Sequence, residues 1–172
     1  MMIEVVRLKL FIDKLINKIN KTDSRICIGL DPHLHLIPEF LIENEKDVAE
    51  AIWKFNKEII DHIYDQTAIV KPQIAFYEKL GLAGLKTLEK TVDYAHEKNL
   101  LVLLDAKRND IGSTAKAYAE AYLKNDSIDA ITINPYLGYD GIEPFLEYKD
   151  KGAFALVRTS NESAVDIQDI ES

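Results

Sequence analysis

The stretch LLVLLDAKRNDIGST, residues 100–114, joins an apolar run to a cluster of ionisable side chains. A short run of leucine and valine without polar alternation is typical of a strand that is buried on both faces of a parallel sheet. Asp105, Lys107 and Asp110 follow directly after this run. The stretch therefore predicts a parallel α/β fold that carries charged side chains at the carboxyl end of one strand.

Other apolar runs of the same kind occur on both sides of this stretch. They cover residues 25–30, 68–70, 130–133 and 153–157. Each run is short, is rich in aliphatic residues and ends in polar residues, as expected of further buried strands. Together with residues 100–104, they predict five strands.

Helical patterns separate these runs. Apolar residues recur at spacings of three and four over residues 48–63 and 82–95, and shorter helical patterns cover residues 115–123 and 141–148. Ser113 and Thr114 are candidate caps of the helix at 115–123. An amphipathic segment at residues 6–19 predicts a further helix before the first strand.

Regular alternation of strands and helices fits either an open doubly wound sheet or a (β/α)8 TIM barrel. No G-x-G-x-x-G motif follows any predicted strand, so the doubly wound dinucleotide fold lacks its main signature. A complete barrel has eight units and about 250 residues. If the fold is a barrel, the chain forms one domain over residues 1–172 with about five units of an incomplete TIM barrel.

The composition limits the partners of the protein. The chain of 172 residues has a net charge of −8, which disfavours binding to nucleic acid. No apolar stretch approaches membrane-spanning length, so we expect a cytoplasmic protein without a membrane partner. Cys27 is the single cysteine, which fits a reducing compartment, and its apolar surroundings predict a buried structural role. His33, His35, His62 and His96 form no metal-binding pattern.

Polar residues mark the end of every predicted strand, where parallel α/β folds collect their functional groups. The residues at the five ends include Asp31, Lys71, Gln73, Asp105, Lys107, Asn134, Tyr136, Thr159 and Ser160. Asp105 and Lys107 are two positions apart and project to the same side of their strand. With Lys71 and Asp110 they predict a Lys–Asp–Lys–Asp cluster. Spacing alone favours a catalytic cluster and a structural ion-pair network about equally.

The cluster resembles that of a known enzyme family. Asp105, Lys107, Asp110, Ile111 and Thr114 match the D-x-K-x-x-D-I-x-x-T pattern of orotidine 5′-monophosphate decarboxylases. Further similarity lies in GLDPH (29–33), VKPQIAFYE (70–78), LLDAKRNDIGSTA (103–115), TINPYLGYDGIEPF (132–145) and VRTSN (157–161). The resemblance is to the longer, group-two branch of the family and extends over residues 11–161.

The resemblance implies a cofactor-free and metal-free carboxy-lyase that converts orotidine 5′-monophosphate (OMP) to UMP, the last step of de novo pyrimidine synthesis. Lys107 would protonate C6 of the pyrimidine as the carboxylate leaves. Asp105 would lie near the substrate carboxylate and disfavour it electrostatically. Lys71 would hold Asp105 and contact the ribose. Because no cofactor accepts the electron pair, fixed charges of the protein must stabilise the carbanion.

The resemblance also implies binding residues and a homodimer that shares its active sites. Asp110, with Ile111 and Thr114, would reach the site of the neighbouring subunit. Asp31 and Gln73 would bind near the ribose. The remaining candidates, Thr159 and Ser160, would contact the edge of the pyrimidine.

Two other functions stay open from the sequence. A sugar-phosphate decarboxylase or synthase of the same suprafamily would share D-x-K-x-x-D and use Mg²⁺, although Lys71 stands where that metal site needs an acidic residue. A non-catalytic dimerising protein would use Asp110, Ile111 and Thr114 only as interface residues. The strands and the phosphate-binding loop that follow in the family have no counterpart in the sequence, so we expect weak or no activity from this chain alone.

Overall fold

A computed structural model describes residues 10–45, 47–124 and 127–170 of the chain. Within these ranges, parallel strands form a single five-stranded sheet in which each strand lies beside the next one along the chain. They are β1 (Cys27–Leu30), β2 (Ile69–Pro72), β3 (Leu101–Arg108), β4 (Ala130–Ile133) and β5 (Gly152–Ala155). A doubly wound sheet reverses its strand order at a switch point, whereas a barrel keeps sequential order. The strand order therefore favours five consecutive units of a TIM barrel.

The observed strands match the five predicted runs, with differences at their ends. β1 begins at Cys27, two residues later than predicted. β3 continues through the charged residues to Arg108, because its backbone keeps partners on both neighbouring strands beyond the apolar run. β5 begins at Gly152 and ends at Ala155, although the Leu156 amide still donates to the Ile133 carbonyl at 3.0 Å.

Helices connect the strands. They are α1 (Phe11–Thr22), α2 (Glu39–Asn44), α3 (Val48–Ile63), α4 (Ala75–Glu78), α5 (Gly81–Glu97), α6 (Gly112–Leu123) and α7 (Tyr139–Leu146). Helices α2 and α4 were not predicted, because neither is long enough to show a helical repeat. Residues 6–9 of the predicted first helix lie outside the described residues. That helix continues to Thr22 and ends where Asp23 adopts a left-handed conformation with φ 49°.

The predicted caps of α6 are wrong. The helix begins at Gly112, so Ser113 and Thr114 lie inside its first turn, and the N-cap Ile111 makes no side-chain cap hydrogen bond. Gly112 has φ +53°, which glycine adopts without the penalty that a Cβ would impose. Glycine at position 112 therefore allows α6 to begin earlier in the sequence than the apolar pattern predicted.

The middle of the sheet is buried on both faces, as the unalternating apolar runs predicted. One face packs against α3 and α5 through side chains such as Val102, Leu104 and Ile131. The other face carries Leu101 and Leu103. These side chains pack with Ile69 and Ala130 of the sheet and with Phe11 of α1. A Cβ on Gly152 would lie 2.5 Å from the Phe11 ring, so glycine at this position lets α1 lie close to the sheet.

The prediction that Cys27 is buried is wrong, because its side chain is exposed. Ile28 and Leu30 of the same strand pack towards the helix-side core, so Cys27 lies on the opposite face. There it borders a cavity of about 160 Å³ between α1 and the sheet. The apolar run around Cys27 therefore indicated the strand correctly but did not indicate which of its faces is covered.

In the described ranges, no helix combines the length and the apolar character needed to cross a bilayer.

Candidate active site

The carboxyl ends of β1, β2 and β3 meet at one edge of the sheet. Leu30 pairs with Pro72, and Gln73 forms an isolated parallel bridge with Asp105. The Gln73 amide donates to the Leu30 carbonyl at 3.4 Å, and the Ile74 amide donates to the Asp105 carbonyl at 3.2 Å. These backbone bonds hold side by side the three strand ends that carry the predicted charges.

Asp105 lies between two lysines. Its Oδ2 is 3.3 Å from Lys71 Nζ, and its Oδ1 is 2.6 Å from Lys107 Nζ. The carboxylate side chain is 10% exposed, whereas the side chains of Lys71 and Lys107 are 31% and 45% exposed. The anion is therefore held at the edge of the core, while both ammonium groups remain accessible to a ligand above the sheet.

The pKa of Asp105 is set by opposing effects. Burial acts to raise the pKa, but hydrogen bonds from Lys107 and Thr132 and the charges of both lysines lower it below its ordinary value. Asp105 therefore stays ionised at neutral pH, and its carboxylate holds the ammonium groups of Lys71 and Lys107 in place.

The backbone at Lys107 is unusual for a strand. Leu104 pairs with Ile131 and Arg108 pairs with Ile133, so three residues of β3 stand opposite the single residue Thr132 of β4. Lys107 within this bulge has φ +48°, a left-handed conformation that costs a non-glycine residue about 1–3 kcal/mol. Bulges and strained residues of this kind are concentrated at active sites, where they direct a side chain.

Thr132 is a site residue that the sequence analysis missed. Its hydroxyl donates to Asp105 Oδ1 at 2.8 Å and accepts from the amides of Ala106 and Lys107 at 3.0 and 2.9 Å. A signal was present, since Thr132 is the one polar residue in the strand sequence AITI. The apolar pattern gave no sign of the bulge that brings Thr132 opposite Asp105.

The fourth predicted member of the cluster lies apart from the other three. Asp110 Oδ1 accepts from the Ile111 amide at 2.8 Å, and no hydrogen bond or ion pair within the described ranges joins Asp110 to Lys71, Asp105 or Lys107. Ile111 and Thr114 are exposed beside it, Ile111 at 56%. This group therefore forms an accessible surface at the start of α6.

The two predicted ribose-binding residues flank the cluster. Asp31 follows β1 directly and is exposed, and its Oδ1 lies 3.4 Å from the position that a Cβ on Gly29 would take. Gln73 is half-buried, and its Oε1 accepts from the Ala75 amide at 3.3 Å, where α4 begins. Both side chains lie at the same sheet edge as Lys71.

The predicted pyrimidine-binding residues follow β5. Thr159 makes side-chain hydrogen bonds with Asn161 and Gln168 at 2.6 and 3.2 Å, and Ser160 is exposed. Among the described residues, no hydrogen bond or ion pair joins either of them to the lysine–aspartate cluster. A neighbouring cleft of about 400 Å³ lies at the ends of β4 and β5 and is lined by residues that include Asn134, Tyr136, Leu156, Asn161 and Gln168.

The described part of the chain contains no group of three His, Cys, Asp or Glu side chains placed to hold a metal ion. At the end of β2, the side chain that contacts Asp105 is Lys71, and its ammonium is positively charged. A cation at this position repels a divalent metal, so the cluster has the charge pattern of a lysine-based site.

Comparisons with known proteins agree with this geometry. Residues 24–172 match the sequence pattern of the orotidine 5′-phosphate decarboxylase / HUMPS family. A protein named orotidine 5′-phosphate decarboxylase from Clostridium tetani is 49% identical over 95% of this chain and 58% of its own length. A protein of the same name from Clostridium perfringens is 46% identical over 93% of this chain and 57% of its own length. The chain thus spans less than two thirds of the length of these curated relatives.

Solved structures have the same fold over nearly the whole chain. A crystal structure described as an orotidine-monophosphate-decarboxylase from Toxoplasma gondii matches with a TM-score of 0.85 and 38% identity. The match covers 95% of this chain and 53% of the Toxoplasma chain. The Leishmania donovani OMP decarboxylase has a TM-score of 0.80 and 33% identity, over 95% of this chain and 59% of its own.

Proposed function

This chain belongs to the orotidine 5′-phosphate decarboxylase / HUMPS family, and from that membership we propose that it decarboxylates OMP to UMP without a cofactor. The names of its relatives support this activity. The observation that carries the proposal is the Asp105 carboxylate held between the ammonium groups of Lys71 and Lys107.

The reaction needs a proton donor and fixed charges. The bond between C6 and the carboxylate carbon breaks, both electrons stay at C6, CO2 leaves, and C6 takes a proton from the Lys107 ammonium. Asp105 lies where its charge repels the substrate carboxylate and holds the Lys107 ammonium ready for transfer. Preorganised charges of this kind stabilise a localised carbanion without reorganisation during the reaction.

The other candidates bind the substrate in this proposal. Lys71 orients Asp105 and contacts the ribose, with Asp31 and Gln73 beside it at the same sheet edge. Thr159 and Ser160 contact the pyrimidine.

We further propose that the enzyme is a homodimer and that Asp110, Ile111 and Thr114 complete the site of the partner subunit. Among the described residues Asp110 makes no hydrogen bond or ion pair with its own cluster, and its neighbour Ile111 is exposed, which supports a role in a second copy. We also propose a single domain over residues 1–172 and a cytoplasmic location, where a protein with one cysteine needs no disulfide.

A Mg²⁺-dependent sugar-phosphate enzyme is the less favoured alternative. Such an enzyme needs an acidic ligand at the end of β2, where this chain has Lys71 bound to Asp105. The sequence Lys71–Pro72–Gln73 supplies no carboxylate at this strand end. The charge of the cluster therefore supports the cofactor-free reaction.

A ligand titration tests whether this site binds a pyrimidine nucleotide. We expect UMP to cause saturable NMR shifts of the Lys71, Asp105 and Lys107 signals at concentrations up to millimolar. Ribose 5-phosphate is the matched control, because it keeps the sugar and phosphate but lacks the base. No shift with UMP at several millimolar would indicate a non-catalytic protein, and equal binding of ribose 5-phosphate would indicate a sugar-phosphate enzyme.

A further inference from the structure

Thr132 is a buried hydroxyl in a strand that is otherwise apolar. It is 8% exposed, between Ile131 and Ile133, which are almost completely buried. A hydroxyl at such a position is unfavourable unless it makes hydrogen bonds. The role of this side chain therefore depends on which groups it satisfies.

The groups that it satisfies belong to the bulge of β3. Regular pairing between β3 and β4 stops at Leu104 and resumes at Arg108. The amides of Ala106 and Lys107 lie in this interruption and therefore have no regular partner on β4. Both amides donate instead to Thr132 Oγ1, at 3.0 and 2.9 Å. The side chain of Thr132 thus replaces the backbone partner that the bulge removes, because buried amides require an acceptor.

The hydroxyl makes full use of its hydrogen-bonding capacity. A threonine hydroxyl has one proton to donate and two lone pairs that accept. Both lone pairs accept from the bulge amides, and the proton is directed to Asp105 Oδ1 at 2.8 Å. The same carboxylate oxygen receives the Lys107 ammonium at 2.6 Å. One hydroxyl therefore connects the backbone of Lys107 with the carboxylate that its side chain binds.

We propose that Thr132 is a positioning residue that holds the bulge of β3 in its left-handed form and thereby sets the relative placement of Asp105 and the Lys107 ammonium. This inference rests on the proposed decarboxylase function for its catalytic consequence. Its structural part rests on the three hydrogen bonds alone. Valine has the shape of threonine but can make none of them, whereas serine can make all three.

The position of the Lys107 ammonium relative to Asp105 should have a large effect on the rate of decarboxylation. An error of about 1 Å in the position of a reacting group can cost about 100-fold in rate. Without the hydroxyl, the Lys107 backbone loses its acceptor and can leave the left-handed conformation. The ammonium would then lose its fixed position relative to substrate, while substrate binding through Lys71 and Asp31 would remain.

The test compares Thr132→Val with Thr132→Ser, with Thr87→Val as the matched control. Thr87 is also buried, and its hydroxyl donates to the Ala49 carbonyl, away from the sheet edge. We expect Thr132→Val to move the carbon-13 NMR titration of the Asp105 carboxyl to higher pH and to lower kcat about 10- to 100-fold, with a smaller change in KM. Thr132→Ser should restore both readouts, and Thr87→Val should alter neither.

An unchanged Asp105 titration in folded Thr132→Val would overturn the inference. If that variant does not fold, amide exchange in the unaltered protein decides, because the Ala106 and Lys107 amides must be protected, and rapid exchange of both contradicts the inference. Neither structural readout needs substrate. OMP turnover that requires Mg²⁺ would thus count against the proposed function, while the titration and the exchange would still judge Thr132.

Discussion

Replacing Lys107 by alanine should abolish decarboxylation of OMP, with kcat reduced by about 1,000-fold or more. The substitution removes the proposed proton donor at C6 and also the cation that faces the developing carbanion. The ammonium of Lys71 remains, but it is paired with the other carboxylate oxygen of Asp105 and does not occupy the position of the Lys107 ammonium. Steady-state formation of UMP by the variant and the unaltered chain, at equal concentration, measures the effect.

Two further variants separate the proton from the charge. Lys107→Arg can keep the ion pair with Asp105, but a guanidinium does not release its proton in proteins, so this variant should also be inactive. Lys86→Ala removes an exposed lysine of α5 and should have no effect on turnover. Activity that survives in Lys107→Ala would show that the proton comes from another group, and the assignment of Lys107 would have to be abandoned.

Mixing two inactive variants should restore activity if the sites are shared across a dimer. Chains with Lys107→Ala and chains with Asp110→Ala should each be inactive. In a mixed dimer, one site receives Lys107 from one chain and Asp110 from the other and is therefore intact. Random exchange of subunits in a symmetric dimer should restore about a quarter of the unaltered activity. Activity measured after unfolding and refolding the mixture gives the answer.

The pair Lys107→Ala and Asp105→Ala is the matched control for this experiment. Both residues lie in the same cluster, 2.6 Å apart, so no combination of these two chains contains an intact site and no activity should return. Equal recovery from both mixtures, or none from the first, would place Asp110 within the site of its own chain or outside the site altogether.

Much of this fold was predictable because buried parallel strands have a simple signature. The runs at residues 68–70, 100–104 and 130–133 carry apolar side chains towards both faces, and each overlaps an observed strand. The strand ends then indicated that Lys71, Asp105 and Lys107 lie together, because parallel strands bring their carboxyl ends to one edge. The structure confirms that Asp105 contacts both lysines.

The rest of the site depends on features that leave no periodic signal. The bulge that places three residues of β3 opposite Thr132 is a matter of register, which local sequence does not specify. The exposure of Cys27 depends on how α1 packs across the sheet, a contact between distant segments. Helix α4 is too short to produce a repeat, although it begins where Gln73 accepts from the Ala75 amide.

The most direct test of the central claim is the conversion of OMP by this chain in buffer with a strong chelator. If Lys107 and Asp105 perform the reaction without a cofactor, UMP and CO2 should form in equal amounts, at a rate that neither the chelator nor added Mg²⁺ changes. Because we expect at most weak turnover from this chain alone, the assay uses the protein at a concentration close to that of OMP, and formation of UMP only when Mg²⁺ is present would contradict the claim.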